Sequence, residues 1–248
     1  VTPASDPAAS AWLPIVSIVA AAGATALGGL VLTTRARWDD LVLQYFVALG
    51  SGFMLAAAIL QMMPVSARMT PWAPVLVLVG YLVIHFVEHT AVPHFHFGEE
   101  THAGVDVGIS ALIGLSIHSF FDGISIASGF LISPSLGVLL FVAIILHKAP
   151  EGFTIASIML AAGHSRRGAQ LSAVGVGIAS IVGACAIYPL RSWVAEGLAL
   201  SAGVTLYVAA SDLIPEVNRS RRKAIAVLVF VGVLLYYATE SLLEALGL

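Results

Sequence analysis

Long apolar stretches recur along the chain, separated by short polar clusters. A bilayer core takes about 20 apolar residues per helix. On that scale the pattern predicts eight spans, at roughly 11–33, 41–63, 73–92, 105–130, 136–161, 169–190, 197–217 and 224–245. All are predicted helical, because a backbone in hydrocarbon must satisfy its own hydrogen bonds. Strand-like alternation is scarce, which argues against a barrel. The fold class is therefore an all-α polytopic membrane protein. Residues 1–10 read as a trimmed polar tail rather than a signal peptide, and 11–248 as a single eight-helix transmembrane domain.

Composition agrees. The 248 residues are 59% hydrophobic and 10% charged, against about 25% charged in soluble domains. The formal net charge of −3 gives no sign of a nucleic-acid partner; the lipid bilayer is the partner that composition implies. A single cysteine, Cys185, excludes an intramolecular disulfide framework and an all-thiolate metal site. Loop charge then orients the spans. Arg35, Arg37, Arg166, Arg167, Arg219, Arg221, Arg222 and Lys223 follow spans one, five and seven, whereas the opposite loops hold only Arg68 and Arg191. The positive-inside rule places the first set in the cytoplasm and both termini outside. A histidine-bearing loop at about 93–104, with His94, His96, Glu99, Glu100 and His102, is then cytoplasmic.

Two polar clusters interrupt the apolar pattern. One is His118-Ser119-Phe120-Phe121-Asp122-Gly123, and the other is His147-Lys148-Ala149-Pro150-Glu151-Gly152. Each sets a histidine and an acid four residues apart, on one helix face. Each lies near the middle of its span, where ionisable groups are costly and usually functional. The link near Ile132–Ser135 is short, so spans four and five are antiparallel neighbours and their midpoints share one depth. Two imidazoles and two carboxylates at one depth form a ligand set for a borderline divalent metal such as Zn²⁺. Hydrogen bonding between helices is the bland alternative for any one of these residues. Pro150 should kink span five near His147 and free the Leu146 carbonyl.

Spans two and seven also look alike. Gly52-Phe-Met-Leu55 runs to Pro64, and Gly203-Val-Thr-Leu206 runs to Pro215, with the same separation. Their opposite directions suggest an inverted repeat, an architecture common among transporters. Chance similarity between two apolar helices is the alternative.

These motifs resemble the ZIP (Zrt/Irt-like) family of divalent metal transporters. HSFFDG is similar to the family's fourth-span motif and HKAPEG to its fifth-span motif, and the resemblance covers essentially the whole chain. It implies a 3+2+3 arrangement of eight helices with an inverted repeat, a plasma-membrane location and a homodimer. It implies transport, not catalysis: a divalent ion, zinc most readily, or cadmium, iron, manganese or cobalt, moves into the cytoplasm by an elevator-like alternating-access mechanism. No cofactor is implied beyond the transported metal. His118, Asp122, His147 and Glu151 resemble the family's transport site. Met54 is similar to a position where some members add a thioether, although a lone Met in an apolar helix is also ordinary filler. Members with a second bound metal carry Asn and an acid where this chain has Ser119 and Lys148. A charged ammonium cannot ligate, so the expectation is a single-metal site with Lys148 in the second ion's place, paired with Glu151 or Asp122. Snorkelling is the alternative for Lys148, and a lysine that gave up its proton would act as a proton-coupled switch.

Further candidates lie along the same route. Asp212, near the inner end of span seven, resembles an acidic exit station, or is a helix-end acid facing the Arg219–Lys223 cluster. Gln61 occupies the repeat-equivalent position near the outer end of span two. His85, Glu88 and His89 share helical spacing at the inner end of span three and could receive the departing ion. The loop histidines are equally readable as merely solvated. Glu240, inside span eight, has no role in this reading. A metalloenzyme is disfavoured because no HExxH helix is present, and no nucleotide-binding loop is found.

Overall fold

A computed structural model of the chain describes residues 12–34, 40–90, 105–219 and 222–246. The loop histidines His94, His96 and His102 lie outside the described residues. The regular elements are α1 (Leu13–Thr34), α2 (Asp40–Ala56, a π-helical turn Ala57–Met62, then Met63–Met69) and α3 (Ala73–Thr90). They continue with α4 (Val105–Ile132), α5 (Pro134–Ala161) and α6 (Arg166–Ile187). After a 3₁₀ turn at Arg191–Trp193 come α7 (Val194–Tyr207, a π-helical turn Val208–Leu213, then Ile214–Arg219) and α8 (Lys223–Ala245). No strand occurs among the described residues.

Among the described residues, 7 helical runs are long and apolar enough to cross a bilayer. α3 runs from Ala73 to Thr90, close to the span expected at 73–92. At about 1.5 Å per residue its 18 residues cover most of the ~30 Å of a bilayer core. α5 continues unbroken through Pro150. The Leu146 carbonyl, which Pro150 deprives of its helical donor, lies beside Gly50 of α2. The α4–α5 corner is tight, as expected. Ser133 caps α5 by accepting from the Leu136 N–H at 3.2 Å, and Pro134 opens the helix.

The helices form two packed groups, α1, α4, α5, α6 and α2, α3, α7, α8. Within them, four helix pairs are joined by reciprocal glycine contacts. A methyl built on Gly123 of α4 would collide with the Ser180 carbonyl of α6, and one on Gly183 of α6 with the Phe120 carbonyl of α4. Gly152 and Gly28 make the same exchange with Thr25 and Ala149 across α5 and α1. Gly52 and Gly232 do so with Val229 and Leu49 across α2 and α8, and Gly203 and Gly80 with Val77 and Leu200 across α7 and α3. Small residues at such crossings let backbones touch, which is how helices associate where lipid removes the hydrophobic drive.

α4 packs on α7 and α2 on α5 where the two groups meet. Buried Phe53, Met54, Leu139, Leu140, Ala143 and Leu198 form much of the apolar core there. The outward sides of α1, α3, α6 and α8 carry exposed Ile15, Leu27, Val75, Phe86, Leu171, Ile178, Phe230 and Leu234. Exposed apolar side chains over whole helices suit lipid contact, so α2, α4, α5 and α7 form the interior of the bundle.

Gly203→Ala should lower the thermal midpoint of the detergent-solubilised protein by an amount matching about 1–3 kcal/mol of overpacking. Gly175→Ala, where an added Cβ meets nothing within 4 Å, should leave the midpoint unchanged or slightly raised. Equal midpoints for the two variants would show that the glycine crossings do not govern packing.

Candidate metal site

His118 and Asp122 stand one turn apart on α4, and His147 and Glu151 one turn apart on α5. The helical period therefore aims each pair at one face, and the tight corner brings the two faces together. One ligand atom from each of the four residues lies within 4.8 Å of the others, and all four residues are buried. The imidazoles stand with ring centroids 5.5 Å apart. Four donors around a Zn²⁺ at about 2.0–2.2 Å would sit closer than this widest separation, so small side-chain adjustments close the shell.

Hydrogen bonding leaves lone pairs aimed inward. His147 Nδ1 lies 3.2 Å from the Ala143 carbonyl. A carbonyl only accepts, so Nδ1 carries the proton, and in the neutral ring Nε2 is free to ligate. Asp122 Oδ2 lies 3.2 Å from Nε2 of both His118 and His147. Both His118 ring nitrogens, Asp122 Oδ1 and Glu151 Oε1 are buried without a hydrogen-bond partner. Buried polar atoms are ordinarily paired. Imidazole nitrogens and carboxylate oxygens left over at one point form a donor set suited to a divalent cation.

Lys148 does not snorkel. Its side chain is fully enclosed, with Nζ 2.8 Å from Asp122 Oδ2 and 2.5 Å from Glu151 Oε2. The sequence offered either acid as its partner, and the structure pairs it with both. Nζ also donates to Ser119 Oγ at 2.7 Å. The Ser119 hydroxyl also shares a hydrogen bond with Ser180 Oγ on α6, 2.7 Å away. Ser180 was missed by sequence reasoning. A serine in an apolar helix usually bonds within its own helix, and only its place beside the Gly183 crossing hinted otherwise.

The remaining candidates are distributed around this cluster. Met54 is fully buried on α2, one turn from Gly50, which lies against Leu146 of α5. That register sets it beside the turn of α5 preceding His147. Asp212 lies in the π-helical turn of α7, next to Ser211, whose hydroxyl is 2.9 Å from the Tyr81 hydroxyl. His85 and His89 stack with centroids 4.0 Å apart, and the His85 ring meets that of Tyr207 at 5.9 Å. Glu88 belongs to the same C-terminal part of α3. Gln61 lies in the π-helical turn of α2 and accepts from the Tyr236 hydroxyl at 3.3 Å. The structure thus gathers His118, Asp122, His147, Glu151, Lys148 and Ser119 at one point, and sets Gln61 and the Asp212–His85 group on other helices.

Known proteins resemble this chain. Residues 94–240 match the family model described as "ZIP Zinc transporter". The "Zinc transporter ZIP9" of Xenopus tropicalis is 29% identical over 158 residues, covering 58% of this chain and 52% of that protein. The "Zinc transporter ZIP13" of Gallus gallus is 30% identical over 115 residues, 44% of this chain and 31% of that protein. The "Zinc transporter SLC39A7" of Mus musculus is 29% identical over 164 residues, 60% of this chain and 31% of that protein. The chain matches about half the length of the first of these relatives and about a third of the other two. The family match spans more than half of the chain and contains both polar clusters, so this multi-pass membrane protein belongs to the ZIP zinc transporter family.

Proposed function

We propose that this chain carries divalent transition metal ions, zinc foremost, across the plasma membrane into the cytoplasm. The observation that carries the proposal is the buried convergence of His118, Asp122, His147 and Glu151, with unpartnered nitrogen and oxygen atoms facing one another. The names of the relatives add zinc as the first ion to try. Cadmium, iron, manganese and cobalt suit a similar donor set, and Met54 would favour the softer of them as a fifth ligand.

The site takes one ion. Two carboxylates and one enclosed ammonium carry a single net negative charge, which one divalent ion turns into a single positive charge. A second divalent ion would add two more positive charges in a place poor in water. Lys148 Nζ already occupies the space between Asp122 and Glu151 that such an ion would need.

Transport follows an elevator-like alternating-access scheme. All four ligands belong to the group α1, α4, α5, α6, and the interface with the other group is largely apolar. Movement of that group as a unit would carry the ion with its four α4 and α5 ligands and part it only from Met54 on α2. Three features support an inverted repeat within the 3+2+3 arrangement. The Gly-to-Pro spacing recurs in α2 and α7, π-helical turns recur at the matching positions 57–62 and 208–213, and the glycine contacts pair α2 with α8 as they pair α7 with α3. The ion would leave past Asp212 toward His85, Glu88 and His89. The chain would act as one transmembrane domain with both termini outside, and a homodimer remains part of the reading.

Zinc uptake into liposomes holding the purified protein should saturate and should fall at least a hundredfold in His147→Ala, with zinc affinity by calorimetry lowered in parallel. Normal uptake by that variant would remove the central cluster from the pathway. Wild-type protein should bind one zinc ion at the cluster. Lys148→Ala should bind its first ion roughly tenfold more tightly, because a like charge a few ångströms away has gone. Two ions bound at the wild-type cluster, or weaker zinc binding by Lys148→Ala, would sink the single-ion reading.

A further inference from the structure

Glu240 is an acid within α8 that the central site leaves without a role. It stands about 8 Å from the outer end of its helix by helical rise. Tyr236, one turn earlier, is fully buried, and its ring packs edge-on against Phe53 with centroids 5.7 Å apart. The Tyr236 hydroxyl lies 3.4 Å from Glu240 Oε1 and 3.3 Å from Gln61 Oε1. One phenolic proton cannot serve two acceptors at once, and both distances are long for an O–H donor. Three oxygens from two helices therefore converge with one proton among them. Gln61 reaches this place from the π-helical turn of α2, a distortion that recurs at functional sites. Gln61 and Glu240 are both only half-buried, so the cluster is open to an approaching ion.

The repeat points the same way. The shift that carries Gly52 onto Gly203 also carries Gln61 onto Asp212. The shift that carries the Val77–Gly80 contact pair onto Val229–Gly232 also carries Glu88 onto Glu240. Each mouth of the bundle is thus given one oxygen-bearing side chain on a π-helical turn and one glutamate on the helix packed against it. The inner pair was read from the sequence as an exit route. The outer pair includes Glu240, which the sequence reading left without a role.

We propose that Gln61, Tyr236 and Glu240 form an outer capture station for a hydrated divalent cation. The proposal rests on the transport reading for its purpose, though not for its chemistry. An amide oxygen, a phenol oxygen and a carboxylate are hard donors, suited to an ion that keeps several of its waters. The central site supplies imidazole nitrogens instead, and completes the dehydration. Binding at the station concentrates the ion beside the α2–α5 contact that leads toward Met54 and His147. It has no part in the final coordination shell.

Two measurements on the full-length protein test this. In the first, Mn²⁺ alone is titrated into detergent-solubilised His147→Ala protein, and free Mn²⁺ is followed by electron paramagnetic resonance. One weak site should appear, and it should weaken at least tenfold in His147→Ala with Glu240→Gln, whereas Glu240→Asp should retain it in part. In the second, zinc uptake into liposomes by otherwise wild-type Glu240→Gln should show a KM raised roughly tenfold and a maximal rate within about twofold. A role in packing alone would lower the amount of folded protein and the maximal rate, and would leave KM in place. Mn²⁺ binding unchanged by Glu240→Gln, or an unchanged KM, overturns the station even where uptake is normal. Glu240-dependent Mn²⁺ binding in a protein that moves no zinc would uphold the station and strike down the transport reading instead.

Discussion

An ammonium group enclosed in the middle of a membrane bundle must be neutralised where it stands. Lys148 meets that demand with Asp122, Glu151 and Ser119, all within 2.8 Å of Nζ. Much of the central architecture follows from this one constraint. It draws one oxygen of each acid to the same side and leaves Asp122 Oδ1 and Glu151 Oε1 without partners. It holds the Ser119 hydroxyl, which shares a hydrogen bond with Ser180 and so ties α6 to the cluster. Removing a single member would leave a charge in a place where it is expensive. The cluster is therefore held as a set, and a transported ion enters a shell whose charges are already balanced to within one unit.

The glycines explain how such a shell can be carried intact. Gly123 and Gly152 directly follow Asp122 and Glu151, and each lies against a neighbouring backbone, α6 in one case and α1 in the other. The closest backbone approaches of this group therefore occur at the depth of the ligands. A rigid four-helix group results, with the ligands inside it. Its boundary with the other group is built largely from Leu, Ala and Phe side chains. Dispersion contacts across such a boundary are individually weak and can be exchanged for similar ones. The ion pairs of Asp122, Lys148 and Glu151 lie within this group, so the proposed displacement need not break them.

Much of this was legible in the sequence, because periodicity and charge act locally. The spans, the His-x-x-x-acid pairs and the contact of Lys148 with acids all follow from helical spacing and from the cost of buried charge. Other features depended on neighbours that no local pattern reveals. Ser180 matters only because α6 crosses α4 at Gly183. The π-helical turns left one trace, the matched Gly-to-Pro separation in α2 and α7, and that trace does not specify the extra residue in the turn. α3 read as a span, but nothing in its own pattern indicated that Tyr81 and His85 would meet Tyr207 and Ser211 of α7. Pro150 marked the carbonyl it would free, but not that this carbonyl would rest beside a glycine of α2.

The two mouths share a backbone plan and differ in donors. Under the proposed inverted repeat, an amide, a phenol and a carboxylate lie on the outer side, and carboxylates and imidazoles on the inner side. This difference cannot by itself set the direction of net transport. A site that binds more tightly shifts occupancy, and by the same amount it slows release, so the gradient of the ion decides which way the cycle runs. The donors decide something else, namely how much water an ion sheds at each stage. Oxygen donors accept a hydrated ion at little cost, whereas the buried histidines require it to be nearly bare. Dehydration in steps keeps any single step from carrying the whole penalty of moving a divalent charge into the bundle. Lys148 sharpens that requirement, because its fixed positive charge makes the central shell inhospitable to any ion that the two carboxylates and two imidazoles do not fully coordinate.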